Sequence, residues 1–163
     1  ITPGKGDFIS FFMCYKRIIM IDGETKITTG GCFCGAVRYE VEGPLRGIVN
    51  CHCTQCAKLN GNFGAHSKAL KSKITIVKDE GLSWYKISDI ARRGFCRKCG
   101  SGLFWDHIEQ NALGIIAGSL DRPVDLKTLG HIFVKDKADF YEITDDLQQF
   151  KGSSNGELEG DYL

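Results

Sequence analysis

The chain has 163 residues, 42% of them hydrophobic and 25% charged, which suits one domain with a substantial core. A formal charge of +1 leaves no basis for non-specific nucleic-acid binding, which needs a basic stripe. No stretch reaches the roughly 18 apolar residues of a membrane span, and the nearest, "FISFFMCYKRIIMI", is broken by Lys16 and Arg17 and makes a poor signal peptide.

Residues 1–29 carry no motif and no evident pairing partner. They read as a lead-in, with translation expected to start at Met20 and Cys14 left outside the functional set. A single domain is expected over 30–150. Within it, "AVRYEVEG" alternates apolar and polar residues and ends at a turn, so 36–42 is a strand. "KITIVK" (73–78) and "LSWYKI" (82–87) alternate too and are separated by "DEG", which predicts a hairpin. "SGLFWDH" (101–107) and "ALGIIAG" (112–118) predict another strand pair, the second buried on both faces, and "GHIFV" (130–134) a further strand. "DLKTLG" (125–130) suggests one helical turn and "TDDLQQF" (144–150) a capped turn or short helix. The Gly/Ser-rich, acidic stretch 151–163 reads as a disordered tail. Twenty glycines against three prolines fit short strands and tight turns, so the class is mainly β.

Chemistry is concentrated in eight cysteines. The protein reads as cytoplasmic, where thiols stay reduced and clustered cysteines point to metal or catalysis rather than to disulfides. "GCFCG" (Cys32, Cys34) and "FCRKCG" (Cys96, Cys99) are two knuckle-like pairs that can supply four thiolates to one tetrahedral zinc. A redox role for the C-x-x-C pair would need a thioredoxin-like strand–helix context, and none is visible. "NCHCTQC" then leaves Cys51, Cys53 and Cys56 as a set of three. Zinc on three protein ligands keeps a position for water or substrate, the pattern of a reactive site. Alternatives are a site closed by Cys14 or His66, or a metal-free trio. His52 lies between two ligands and is not counted, and His66, His107 and His131 read as strand residues. Arg92, Arg93, Arg97 and Lys98 read as cations offsetting nearby thiolates. Trp105 and, with less support, Lys58, Asn60 and Asn62 are candidates for the mouth of the three-cysteine site.

The stretches "GGCFCGAVRYEVEG", "NCHCTQCAKLNG", "RRGFCRKCGSGLFW", "AGSLDRP" and "HIFVKDKADF" together resemble the glutathione-dependent formaldehyde-activating enzyme family in its broad sense, across roughly residues 30–150. The resemblance implies a β-tent fold of two small antiparallel sheets packed at an angle, with two zinc ions per chain. It implies that Cys32, Cys34, Cys96 and Cys99 hold a structural zinc and that Cys51, Cys53 and Cys56 hold a catalytic one. The implied activity is that of a carbon–sulfur lyase of the S-hydroxymethylglutathione synthase type, with glutathione as the small thiol. The alternative is a non-catalytic, zinc-stabilised thiol carrier or protein-binding module.

Overall fold

The computed structural model describes residues 26–160; the expected start at Met20, and Cys14, lie outside them. The domain is built from two sheets. Strands β1 (Ile27–Gly31), β2 (Arg38–Glu42) and β5 (Ile74–Lys78) form a three-stranded antiparallel sheet in the order β1-β2-β5. The second sheet has eight strands: β3 (Ile48–Cys51), β4 (Gly64–Leu70), β6 (Leu82–Lys86), β7 (Ala91–Cys96), β8 (Gly102–His107), β9 (Ala112–Ile116), β10 (Thr128–Ile132) and β11 (Gln148–Gln149). Their order is β11-β10-β3-β4-β9-β8-β7-β6. Among the described residues one α-helix of seven residues, α1 (Thr54–Asn60), joins β3 to β4. The mainly β, two-sheet architecture is as expected. The larger sheet is mixed, because β10 runs parallel to both β3 and β11.

The alternation of β2 explains how the sheets meet. Tyr39 and Val41 are buried while Glu40 and Glu42 face water. Tyr39 packs edge-on against Phe104 of β8, ring centroids 4.9 Å apart, and its hydroxyl pairs with Ser119 Oγ at 2.7 Å. Ala69, Leu103, Leu113 and Ile115 complete the core from the large sheet. Side chains on a strand alternate between faces. With Phe104 and Ile115 turned to the core, their neighbours Trp105 and Gly114 therefore belong to the opposite face of the large sheet.

Several local expectations change. The strands at 73–78 and 82–87 do not form a hairpin: β5 joins the free edge of β2, while β6 pairs with β7 in the other sheet. Alternation alone sets a strand's faces and leaves its partner open. Residues 128–132 are strand rather than the end of a helical turn, and 148–149 form the short strand β11 rather than a helix. Ile27 opens a strand that pairs along all of β2, and Gly43 N–H bonds Lys26 O just ahead of it, in a region that had shown no partner. The stretch 151–160 is not a loose tail. Leu158 and Ser154 are buried, and Glu159 pairs with Lys68 at 2.8 Å.

Candidate functional site

The first cysteine group lies where the two sheets come together. Cys32 and Cys34 occupy the β1–β2 connection of the small sheet, while Cys96 ends β7 and Cys99 sits in the β7–β8 turn of the large one. All four sulfurs lie within 4.8 Å of one another. The Cys32–Cys34 and Cys34–Cys96 separations are 3.6 and 3.8 Å. A tetrahedron with metal–sulfur bonds of ~2.3 Å has S···S edges of about 3.8 Å, so these residues fit a tetrahedral ion. The turns are prepared for charge. Val37 N–H points at Cys32 Sγ at 3.2 Å, and Gly100, at φ +79°, lets the second knuckle close with its N–H on Cys96 O at 2.7 Å. The Ser101 hydroxyl, 3.3 Å from Cys99 Sγ, draws that thiol down to about 5. The Ala36 amide favours the Cys34 thiolate, but burial and the neighbouring sulfurs outweigh it and push Cys34 up to about 11. Four sulfurs this close cannot all be thiolates without a cation among them.

The second group forms around the start of α1. Cys51 ends β3, Cys53 is the N-cap residue of α1, and Cys56 is the buried residue of the helix. Their sulfurs also lie within 4.8 Å of one another. Hydrogen bonds from the other two sulfurs, with the amides of Cys56 and Gln55, hold the Cys53 thiol far below its ordinary value, while Cys51 is pushed up. Three thiolates this close repel one another unless a cation lies among them. The donor set suits a thiophilic ion such as zinc.

His52 turns away from the sulfurs. Its Nε2 meets His131 Nδ1 at 2.8 Å, His131 Nε2 meets Asp145 at 3.1 Å, and its ring stacks on Tyr141 with centroids 5.9 Å apart. Burial holds His52 below the usual histidine value and so neutral at pH 7. Neither His52 nor His131 is a ligand; they anchor the loop that carries the trio. His66 Nε2 touches Cys56 Sγ at 3.7 Å but is not among the donor atoms that all lie within 4.8 Å of one another. Burial, followed by Arg93 and Arg46, lowers His66 to about 4.

A cavity of about 600 Å³ opens onto the trio. Its floor is a cross-strand row on the outer face of the large sheet: Lys68 of β4 lies opposite Gly114 of β9, Gly114 opposite Trp105 of β8, and Trp105 opposite Arg93 of β7. The missing side chain at Gly114 leaves room between Lys68 and Trp105. Arg93 reaches Gln55 at 3.3 Å and Cys56 Sγ at 3.8 Å. Arg46, Lys68 and Glu159 close the other end.

Trp105 lines the cavity, as the sequence suggested; Lys58, Asn60 and Asn62 do not, and Asn60 instead bonds Cys56 O at 2.9 Å. Of the four cations at 92–98, only Arg93 approaches the trio. Arg92 pairs with Asp106 and covers Trp84, while Arg97 and Lys98 bond Glu80. Sequence reading missed Arg46, Lys68 and Glu159. Each is an unremarkable charge in its own stretch, and only the fold brings Arg46 and Glu159, both outside the strands, to Lys68 of β4.

The comparisons agree with this geometry. The sequence profile of glutathione-dependent formaldehyde-activating enzymes matches residues 27–136, the span that holds both cysteine groups. A Halomonas elongata protein provisionally named a glutathione-dependent formaldehyde-activating enzyme is 29% identical over 127 residues, covering 70% of this chain and 79% of its own. An uncharacterized lyase of Schizosaccharomyces pombe is 26% identical over 125 residues, covering 74% and 88%. The crystal structure of a Rhodobacter sphaeroides protein superposes with a TM-score of 0.51 at 28% identity, covering 63% of this chain and 98% of that one. With a family profile spanning most of the described domain and both cysteine groups in place, this chain belongs to the glutathione-dependent formaldehyde-activating enzyme family.

Proposed function

We propose that the protein is a zinc-dependent carbon–sulfur lyase-like enzyme acting on a glutathione-type adduct, with Cys51, Cys53 and Cys56 holding the catalytic ion. Cys32, Cys34, Cys96 and Cys99 hold a structural one. One observation carries the reading: three sulfurs, all within 4.8 Å of one another, line a cavity about 600 Å³ in volume, roomy enough for a small peptide thiol. When bound there, zinc supplies Lewis acidity that favours deprotonation of an incoming thiol.

The chain's own residues do the rest. Arg93, beside Cys56, offsets negative charge at the entry of the thiol. His66, neutral at pH 7, adds no competing cation there. Trp105 and the gap over Gly114 give the floor an apolar stretch between Lys68 and Arg93 on which the thiol's carbon chain can lie. In the forward direction the thiolate sulfur attacks the carbonyl carbon of formaldehyde or a similar small electrophile. The carbonyl π electrons pass to oxygen, which takes a proton from solvent, and the reverse step releases the aldehyde.

Replacement of Cys53 by Ser tests this. Metal analysis is expected to fall from two zinc ions per chain to one, with the circular dichroism spectrum retained. The exchange rate between formaldehyde and S-hydroxymethylglutathione, followed by NMR, is expected to drop to the uncatalysed value. An unfolded Cys53→Ser protein would make this group structural. Full glutathione binding by the wild type without any rate enhancement would make the protein a thiol carrier.

A further inference from the structure

A chain of polar side chains leads away from the three-cysteine group. His52 and His131 are each 1% exposed. His52 Nε2 lies 2.8 Å from His131 Nδ1, and His131 Nε2 lies 3.1 and 3.2 Å from the two carboxylate oxygens of Asp145. Asp145 belongs to the stretch that leads into β11, which pairs beside His131, and Leu147 N–H holds its Oδ1 at 3.0 Å. At the other end, the cysteine loop is tied to the same strand as His131. His52 N–H bonds Ile132 O at 2.9 Å, and Ile132 lies opposite Cys51 in the β3–β10 ladder. None of the three side chains lines the cavity, so their effect on it passes through the loop.

The chain has a direction. An ionised carboxylate only accepts, so His131 carries a hydrogen on Nε2 and shares it with Asp145. His52 Nδ1 is buried and meets no partner among the described residues. An orphaned buried N–H is a rarer defect than an orphaned acceptor, so Nδ1 is the bare nitrogen and His52 carries its hydrogen on Nε2. His131 Nδ1 then accepts from His52, and both hydrogens point toward Asp145. Nδ1 is the ring nitrogen nearer the backbone. Reversal would put a buried N–H with nothing to accept it against the segment between Cys51 and Cys53.

We propose that Asp145 is a positioning residue for the three-cysteine group: acting through His131, it holds His52 in the Nε2–H form and so fixes the loop that carries Cys51 and Cys53. The inference rests on the reading of the trio as a metal site and is independent of the lyase step.

The test compares Asp145→Asn with Asp145→Ala in the zinc-loaded full chain. In Asp145→Asn the carbonyl oxygen stays with Leu147 N–H, which sets the amide nitrogen, a donor, against His131 Nε2. The chain then reverses, and the hydrogen of His52 moves to Nδ1. In Asp145→Ala, water takes the place of a carboxylate that is 46% exposed and accepts the His131 hydrogen, so the direction is kept. NMR of the ring nitrogens in isotope-labelled protein is expected to show Nε2–H on His52 in the wild type and in Asp145→Ala, and Nδ1–H in Asp145→Asn. In chelator competition, zinc at the three-cysteine group is expected to weaken about tenfold in Asp145→Asn and by less in Asp145→Ala. The four-cysteine group keeps its affinity in both. A side chain that only fills space gives the opposite order, because truncation disturbs packing more than a near-isostere does. Greater loss in Asp145→Ala, wild-type affinity in Asp145→Asn, or Nδ1–H on His52 of the wild type each overturns the proposal. These readouts use no substrate, so its failure differs from that of the lyase reading. The expected tautomers and zinc affinities without turnover sink the lyase alone. Turnover with Asp145→Asn unchanged sinks the positioning role alone, and a wild type with one zinc per chain sinks both.

Discussion

Asp106 is a carboxylate with 2% side-chain exposure, set on the core-facing side of β8. Lys71 Nζ lies 2.7 Å from one oxygen and Arg92 Nε 2.7 Å from the other, and Arg92 is also its cross-strand neighbour. Burial alone would raise its pKa, but Lys71 and then Arg92 outweigh burial and hold it below the ordinary 3.8. A depressed folded-state pKa means that the carboxylate stabilises the fold above its unfolded value. That contribution is lost as pH falls through the folded value. Asp106→Asn is thus expected to cost about 2 kcal/mol at pH 7, less than a fully buried pair because both cations reach water. The gap between wild type and variant should narrow below about pH 4, as urea midpoints across a pH series would show. Nothing in "GLFWDH" told this aspartate apart from a surface one. The cysteines were legible because a knuckle is made by neighbours in sequence; Asp106 and Lys68 take their roles from strands that meet only in the folded sheet, and Arg46 from the loop between β2 and β3.

The unit β3–α1–β4 is the element that makes the trio. It was the part of the secondary structure least visible in the sequence, where only the spacing of "CHCTQC" marked a compact loop. α1 has seven residues, too few to be stable alone, so packing and any bound ion must hold it. β4 begins at Gly64 directly beneath it. A Cβ there would lie 2.4 Å from His66 Nε2, so the ring must move, and 3.1 Å from Cys56 Sγ, tight enough to push the sulfur by a few tenths of an ångström. Gly64→Ala is therefore expected to displace His66 and Cys56 and to weaken metal at the three-cysteine group by at least tenfold, within the range seen when the surroundings of metal ligands are altered. The four-cysteine group should keep its affinity. A chelator competition that resolves the two ions would check this, and equal weakening of both would show that the damage is global. The mistaken 73–87 hairpin belongs to this scale too. Each strand's pattern was readable, but β2 and β7 offered better edges than the two strands offered each other.

At the scale of the molecule, the four-cysteine group joins sheets otherwise held by the Tyr39–Phe104 core and a bridge between Gly30 and Leu120. Cys34 and Cys96 are 62 residues apart, so an ion there closes a long loop. By the entropy of such a cross-link alone, its removal costs about 4 kcal/mol, or about 10 °C in Tm. Scanning calorimetry after dialysis against a strong chelator should show at least that loss, and the same loss in Cys99→Ser. A change under about 2 °C would mean that the core alone holds the sheets together.

The strand order of the large sheet has a consequence for synthesis. The small sheet is complete in sequence by Lys78, but the sulfurs that pin it arrive at Cys96 and Cys99, and β10 reaches β3 only after Ile132 has been made. A nascent chain therefore carries three finished strands and an unsatisfied C-x-C pair while it waits for the rest of its sheet. β3 meanwhile presents a bare edge on the side that β10 will fill. Assembly of the two sheets is thus expected late in synthesis, and an empty four-cysteine group at that stage would leave the small sheet held by its core contacts alone.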